Sequence, residues 1–298
     1  MEFLQPGSLA DAIAAKAEFP AAVPIAGGTD VMVEINFDVR RPEALLDLNR
    51  VSELTSWPRS DGMIRLGAGV SYTRIIAELG GLLPGLAMAA RTVGSPQIRN
   101  RGTVGGNLGA ASPAGDCHPV LLASRAAVEA TSAGGRRLIP VAGFFTGPKR
   151  NALADDELIT AVLIPVAPGP QQFAKVGTRN AMVIAVCAFA LELRPPGRPA
   201  GVPAIGTGIG SAGPVPLSAP AAEDFLAGAL AESGLWESAD DLPDQLVRRF
   251  GELVAAAARP IDDVRGTAAY RRHALGVLAQ RTLVWAWDSY RQDRQSCT

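Results

Sequence analysis

A chain of 298 residues with an apolar share of 48% and a charged share of 19% is long enough for one large domain or two to three smaller ones around a substantial core. Its formal net charge of -1 gives no bulk attraction to nucleic acid or to an anionic membrane, and the pair Arg136-Arg137 is too short to hold a polyanion. The stretch MEFLQPGSLADAIAAK lacks the basic start of a secretory signal, and the longest apolar run, residues 181 to 191, falls well short of the ~20 residues that span a bilayer.

The chain reads in three segments. In the first, Ser8 is placed as the N-cap of a helix over residues 9 to 18, followed by short strands at 22 to 26 and 44 to 48. In the second, a strand over 63 to 70 runs into a helix capped by Ser71. The glycine-rich stretch RNRGTVGGNLGAASPAGD follows at 99 to 116 and reads as too small-sided to build core. A helix from His118 and strands at 126 to 133 and 157 to 165 come next. Residues 166 to 172, with two prolines and a glycine, read as a linker. The third segment predicts a buried strand over 182 to 193, another over 202 to 210, and helices over 218 to 230, 244 to 258 and 267 to 287. The last of these places Tyr270, Ala274, Val277, Leu278, Val284 and Trp285 on one apolar face. The polar tail after Trp287 reads as frayed. Short strands mixed with helices predict an α+β fold.

Three cysteines, Cys117, Cys187 and Cys297, are far apart and odd in number. They make neither a disulfide framework nor a C-x-x-C site, so the expectation is reduced thiols in a cytoplasmic protein, with no metal site and any iron–sulfur cluster on another chain. Cys117 and His118 are neighbours, but adjacent helical residues point about 100° apart and seldom act as nucleophile and base. A structural cysteine and a surface histidine are expected. With only His118 and His273 available, a histidine-rich metal site is not expected. The run GIGSAG at 208 to 213 matches G-x-G-x-x-G, yet Pro214 and Pro216 follow at once and no acidic residue ends a next strand, so a strand and turn are predicted rather than a dinucleotide fold.

Two glycine-containing stretches remain. The strand at 22 to 26 ends in Gly27-Gly28-Thr29-Asp30, and the second stretch holds Thr103-Val104-Gly105-Gly106-Asn107. Glycine lets consecutive backbone N–H groups converge, and such nests hold phosphates. Two surfaces suit a diphosphate. The bland alternative is a pair of tight turns.

Residues 24 to 34, PIAGGTDVMVE, and 97 to 116, QIRNRGTVGGNLGAASPAGD, resemble the two FAD-diphosphate loops of the flavoprotein subunit of molybdenum hydroxylases, the family of xanthine and carbon monoxide dehydrogenases. FAKVGTRNAMVIAV (173 to 186) and DDVRGTAAYRRHALGVLAQRTL (262 to 283) resemble the entry and the final helix of that subunit's C-terminal domain. The likeness covers approximately residues 1 to 290. It implies a vanillyl-alcohol-oxidase-type FAD fold of two α+β subdomains, residues 1–55 and 56–166, followed by a C-terminal α+β domain over 173–290.

By motif match the resemblance implies a first FAD loop made of Pro24, Ile25, Ala26, Gly27, Gly28, Thr29, Asp30 and Val31. It implies a second made of Thr103, Gly105, Gly106, Asn107 and Ser112. Asp116 is implied near the ribityl or adenosine hydroxyls, with a helix N-cap as its alternative role. Ile159 is implied near the isoalloxazine, with ordinary strand core as the alternative. Lys175 is implied at the pyrimidine end, where a cation favours the anionic reduced flavin; a solvated lysine is the alternative. No catalytic acid, base or nucleophile is expected, because the flavin carries the chemistry.

The implied function is electron transfer: electrons come from a [2Fe–2S] cluster on a small partner subunit, substrate is oxidised at a molybdenum cofactor on a large one, and NAD+ or another acceptor takes the electrons. The implied assembly is a dimer of heterotrimers, with the arginines around Arg99 and Arg101 as a candidate partner-facing loop. The ASPAGD run leans toward the xanthine dehydrogenase branch, and no cysteine-bearing insertion supports an extra [4Fe–4S] cluster. Two rivals stay open: a stand-alone flavin oxidase or reductase of the same fold, and a non-catalytic nucleotide-binding module.

Overall fold

The computed structural model describes residues 1–166, 168–197 and 201–296. Cys297 and Ala167, the latter in the expected linker, lie outside them. The chain opens with strand β1 (Glu2–Leu4), helix α1 (Leu9–Glu18), strand β2 (Val23–Ile25), helix α2 (Val31–Asn36) and strand β3 (Ala44–Asp47). The strands form a parallel sheet ordered β1-β3-β2. Ser8 caps α1 as expected, its Oγ accepting the Asp11 amide at 3.1 Å. Ala12 of that helix meets Leu46, Val51 and Leu54 in a small core. The short α2 escapes the sequence reading because it has no apolar periodicity to show: none of its residues is buried.

The next segment runs through β4 (Arg59–Ser60), β5 (Met63–Gly67), α3 (Tyr72–Glu78), α4 (Pro84–Thr92), α5 (Pro96–Arg101), α6 (Val104–Ala110), α7 (His118–Ala123), β6 (Ala127–Ser132), β7 (Gly135–Pro140), α8 (Val141–Phe144), β8 (Phe145–Gly147), β9 (Arg150–Asn151) and β10 (Leu158–Pro165). Five strands form an antiparallel sheet ordered β4-β5-β10-β6-β7. The strand expected over 63 to 70 stops at Gly67, where the Val70 amide turns back onto the Gly67 carbonyl at 3.1 Å. Ser71 caps α3 by accepting the Arg74 amide. Pro84 starts α4 from a first-turn position, where its missing N–H costs nothing. The glycine-rich stretch is not an open loop: it forms the short helices α5 and α6, and Val104 and Leu108 are fully buried among the main core residues.

The last segment holds β11 (Gln171–Gly177), β12 (Ala185–Leu193), β13 (Ile205–Gly210), α9 (Pro220–Glu232), α10 (Leu235–Ser238), α11 (Asp244–Ala257) and α12 (Ala268–Ser296). Its sheet is antiparallel, ordered β11-β12-β13. β11 begins inside the expected linker because the buried Gln171 side chain accepts the Gly85 amide at 3.0 Å and bonds Glu192 at 3.3 Å. β12 starts at Ala185 rather than 182, since Met182 adopts φ 51°. The GIGSAG run is the end of β13 followed by a turn, as the sequence predicts. Its glycines serve packing: a Cβ on Gly206 or Gly208 would stand 2.0 Å from the Ala123 carbonyl oxygen or 1.9 Å from that of Pro119, so only glycine lets α7 lie on β13.

Two expectations about α12 are corrected. Its inward side carries Leu275, Leu278, Leu283 and Trp287, whereas Tyr270, Val284 and Trp285 of the expected face are 49%, 39% and 45% exposed. The helix also continues past Trp287 to Ser296 instead of fraying. Trp287 and Tyr290 pack on Trp236 with ring centroids 5.5 and 5.1 Å away, and the Tyr290 hydroxyl donates to the Trp236 carbonyl at 2.6 Å, which anchors an otherwise polar end. The architecture is α+β. Among the described residues no helix is long and apolar enough to cross a membrane.

Candidate functional site

The first glycine stretch leaves the parallel sheet at Ile25, whose carbonyl still accepts the Leu48 amide at 2.9 Å. Pro24 and Ile25 are the end of β2, and residues 26 to 30 form the loop into α2. Gly28 turns the chain at φ 73°, a conformation that favours glycine. The amides of Gly27, Gly28, Thr29, Asp30 and Val31 find no acceptor among the described residues; the first α2 amide that does is that of Met32, bonded to the Gly28 carbonyl at 3.1 Å. Five consecutive unpaired donors at a helix start form an anion site in waiting.

The two stretches meet. A Cβ on Gly27 would lie 2.1 Å from the Arg101 carbonyl oxygen, so the loop is pressed against the end of α5. Asn49 joins them: its Nδ2 donates to the Ala26 carbonyl at 2.9 Å and its Oδ1 accepts from Arg101 at 3.3 Å.

The second stretch departs from the expected nest. Thr103 caps α6, its Oγ1 accepting the Gly106 amide at 3.0 Å, while the amides of Val104, Gly105 and Asn107 bond the carbonyls of Val70, Ala68 and Thr103. Every backbone donor from 104 to 107 is thus committed inside the chain. Gly105 is glycine for packing, since a Cβ there would fall 2.5 Å from that of Ala68. Gly106 differs: it is exposed, and a Cβ would meet only Thr103 Oγ1, at 3.1 Å. Beside it the Oδ1 of Asn107 is buried with no partner. The Ser112 hydroxyl accepts the Ala114 amide at 3.3 Å. Ile159, on β10, is the residue nearest a Cβ built on Gly109, at 3.9 Å. Lys149, which the sequence reading missed, ties α2 to the far end of α6 through Glu34 Oε1 at 2.6 Å and its own amide to the Ala111 carbonyl. No local motif marks it.

Asp116 and Lys175, distant in sequence, form one buried ion pair: Nζ to Oδ2 is 2.6 Å, with side chains 7% and 8% exposed. Lys175 also donates to the Thr92 carbonyl at 3.0 Å, and Thr92 Oγ1 donates to Asp116 Oδ2 at 3.1 Å. Lys175 is therefore not a solvated lysine. Asp116 does not cap α7 either; that position belongs to Cys117, with no side-chain bond. Its Oδ1 is buried and unpartnered. Burial pushes the Asp116 carboxyl up, and the neighbouring ammonium works against the rise.

His118 is fully buried, which corrects the expected surface histidine. Its ring lies 4.5 Å from that of Phe145, and Nε2 stands 3.2 Å from the Asn107 carbonyl. Burial lowers its pKa to about 4, so it is neutral. Gly115 leaves room for this ring, since a Cβ there would be 2.2 Å from Cε1. Cys117 is buried too, and burial pushes its thiol up, as suits a structural cysteine. The Tyr72 hydroxyl and His118 Nδ1 are further buried atoms without partners.

Five free amides, an open glycine face and two buried carbonyl or carboxylate oxygens awaiting donors fit a diphosphate compound that also carries hydroxyl or N–H groups. The comparisons agree. Residues 1–167 match the family described as the FAD binding domain in molybdopterin dehydrogenase, and residues 172–286 match the CO dehydrogenase flavoprotein C-terminal domain. The nicotine 6-hydroxylase medium subunit of Paenarthrobacter nicotinovorans is 31% identical, over 96% of this chain and 97% of that one. The glyceraldehyde dehydrogenase medium chain of Sulfolobus acidocaldarius is 30% identical, over 87% and 88%. A solved carbon monoxide dehydrogenase from Hydrogenophaga pseudoflava, lacking the Mo-pyranopterin moiety of its cofactor, superposes with a TM-score of 0.86 at 27% identity, covering 97% of each chain. The chain belongs to the FAD-binding subunit family of the molybdenum hydroxylases and is an oxidoreductase component.

Proposed function

We propose that this chain is the electron-transfer subunit that takes electrons from a [2Fe–2S] cluster on a small partner subunit and passes them to NAD+ or another acceptor, while a large subunit with a molybdenum cofactor oxidises the substrate. The observation that carries the reading is the row of unpaired amides from Gly27 to Val31 packed against the end of α5. FAD, when bound, supplies the two-electron redox chemistry.

The residues of this chain bind and orient. Pro24 and Ile25 hold the loop in register, and the amides of Gly27 to Val31 take the diphosphate, with Ala26 fixed from behind by Asn49. Thr103, Gly105, Gly106, Asn107 and Ser112 shape the second wall, where Gly106 admits the ligand and Asn107 Oδ1 accepts a hydrogen bond. Asp116 Oδ1 accepts a ribityl or adenosine hydroxyl, and Ile159 packs near the isoalloxazine. Lys175 has three donors, of which Thr92 and Asp116 take two; the third serves the pyrimidine end. Its charge is offset by a carboxylate 2.6 Å away, so Lys175 stabilises negative charge less than an unpaired lysine would.

We read the complex as a cytoplasmic dimer of heterotrimers and, from the ASPAGD run, as a xanthine dehydrogenase-like enzyme; the substrate pocket belongs to the large subunit. The test is an absorption spectrum of the purified chain, then anaerobic NADH. Bands near ~450 nm that bleach support a flavin exchanging hydride with a nicotinamide. Bound FAD that NADH leaves oxidised moves the acceptor away from NAD+. A folded chain that stays colourless after incubation with FAD refutes the reading. Purine oxidation by the purified complex decides the substrate.

A further inference from the structure

Helix α2 follows directly on the free amides of the first loop, yet the fold holds it loosely. None of its six residues is buried, and Met32 and Val33 are 38% and 50% exposed. Apolar burial, the usual anchor of a helix on its domain, is therefore slight here. Polar ties take its place. Arg40 and Arg41 pair within the segment, with Glu34 and Asp38. Among the described residues one side-chain hydrogen bond or ion pair leaves residues 31 to 41, that of Glu34 Oε1 with Lys149 Nζ at 2.6 Å. Lys149 stands at the tip of the β8–β9 hairpin, at φ 55°. The root of that hairpin is set in the main core by the buried Phe144 and Phe145. Its tip is pinned to α6 by the Lys149 amide on the Ala111 carbonyl at 3.0 Å and by Asn151 Nδ2 on the Gly109 carbonyl at 3.1 Å. One residue thus grips the end of α6 with its backbone and α2 with its side chain. Burial pushes the Asp30 carboxyl up and the Lys149 ammonium works against the rise, so the same charge reaches the start of α2.

We infer that Lys149 is a positioning residue, a latch that holds α2 against α6 and thereby governs how fast the diphosphate ligand leaves. The inference rests on the flavin reading above. The side chains of Lys149 and Glu34 are 59% and 21% exposed. A pair this accessible adds little to global stability, but it decides the position of a helix that burial does not hold. Releasing α2 takes the loss of that one pair, a local opening rather than unfolding.

The test measures FAD release from the full chain and from the variants K149M, K149R and E34Q, by flavin fluorescence after dilution. Hydrogen exchange across residues 31 to 39 is followed in the FAD-free proteins. The latch predicts roughly three- to fivefold faster release from K149M and from E34Q and a parent-like rate from K149R. Exchange across α2 should quicken in the two fast variants, while their FAD-free melting temperatures stay within about 2 °C of the parent. Added salt should speed release from the parent toward the rate of K149M. E34Q separates a latch from simple charge: it removes a carboxylate beside an anion site, so charge alone would slow release. Parent-like or slower release from E34Q, or a parent-like rate from K149M, overturns the proposal. So does a K149M protein whose melting temperature falls and whose exchange rises throughout the chain, which makes Lys149 a support of the whole fold. Failure of the parent to take up FAD counts against the flavin reading alone. Exchange across α2 then still decides the latch, and unchanged exchange in K149M and E34Q overturns it.

Discussion

Gly106 and Gly105 are neighbours, and alanine at each should do opposite things. At Gly106 the added methyl meets only Thr103 Oγ1, at 3.1 Å, and the hydroxyl must yield by a few tenths of an ångström. Alanine is roughly 0.5–1 kcal/mol better than glycine inside a helix, which offsets that contact, so the FAD-free Gly106→Ala protein should melt within about 2 °C of the parent. With FAD bound the same methyl enters a filled contact. Overpacking costs roughly 1–3 kcal/mol, which raises the FAD dissociation constant about 5- to 150-fold. At Gly105 the methyl would stand 2.5 Å from the Ala68 Cβ and 2.8 Å from its carbonyl oxygen, both inside the fold. Gly105→Ala should therefore cost roughly 1–3 kcal/mol in the FAD-free protein and lower Tm by about 2–4 °C for each. Differential scanning fluorimetry on the FAD-free proteins and a flavin-fluorescence titration separate the two effects. Parent-like FAD affinity in Gly106→Ala refutes the placement of the ligand on α6, and a parent-like Tm in Gly105→Ala refutes the close-packing argument.

Asp116→Ala leaves Lys175 buried beside carbonyls alone and should cost about 3–5 kcal/mol in urea unfolding; adding Lys175→Met should recover most of it. His118 titrates at about 4 folded against its ordinary 6.5. Above that range neither state binds the proton; between the two values only the unfolded chain does. Stability should thus fall by up to about 3 kcal/mol as pH drops from 6.5 to 4, and a His118→Gln variant should show a shallower slope in pH-dependent melts. In the C-terminal segment, the buried Arg271 donates to the carbonyls of Val186 and Ser211 at 2.9 and 2.6 Å and pairs with Asp263. Arg271→Met should cost about 3–5 kcal/mol, with a charge-neutral control at exposed Arg272 leaving the unfolding midpoint unchanged.

By itself the sequence determined the elements whose signals are local. Ser8 and Ser71 announce their helices because a cap acts within three residues. The long apolar run of β12 announces a strand buried on both faces. The motifs around Gly27 and Gly105 announced the family. Only tertiary structure decided what each glycine is for. Gly27, Gly105 and Gly115 are glycine because Arg101, Ala68 and His118 press against them, whereas a Cβ on Gly106 would meet only Thr103 Oγ1; those pressing neighbours lie elsewhere in the chain or across a turn, where no spacing rule reaches. The same holds for Asp116 and Lys175, 59 residues apart, which the sequence offered as two separate ligands and the fold joins into one ion pair. It holds for α12 as well. Apolar residues mark two of its faces, and which one turns inward depends on where Trp236 and β12 stand, a fact of packing rather than of periodicity.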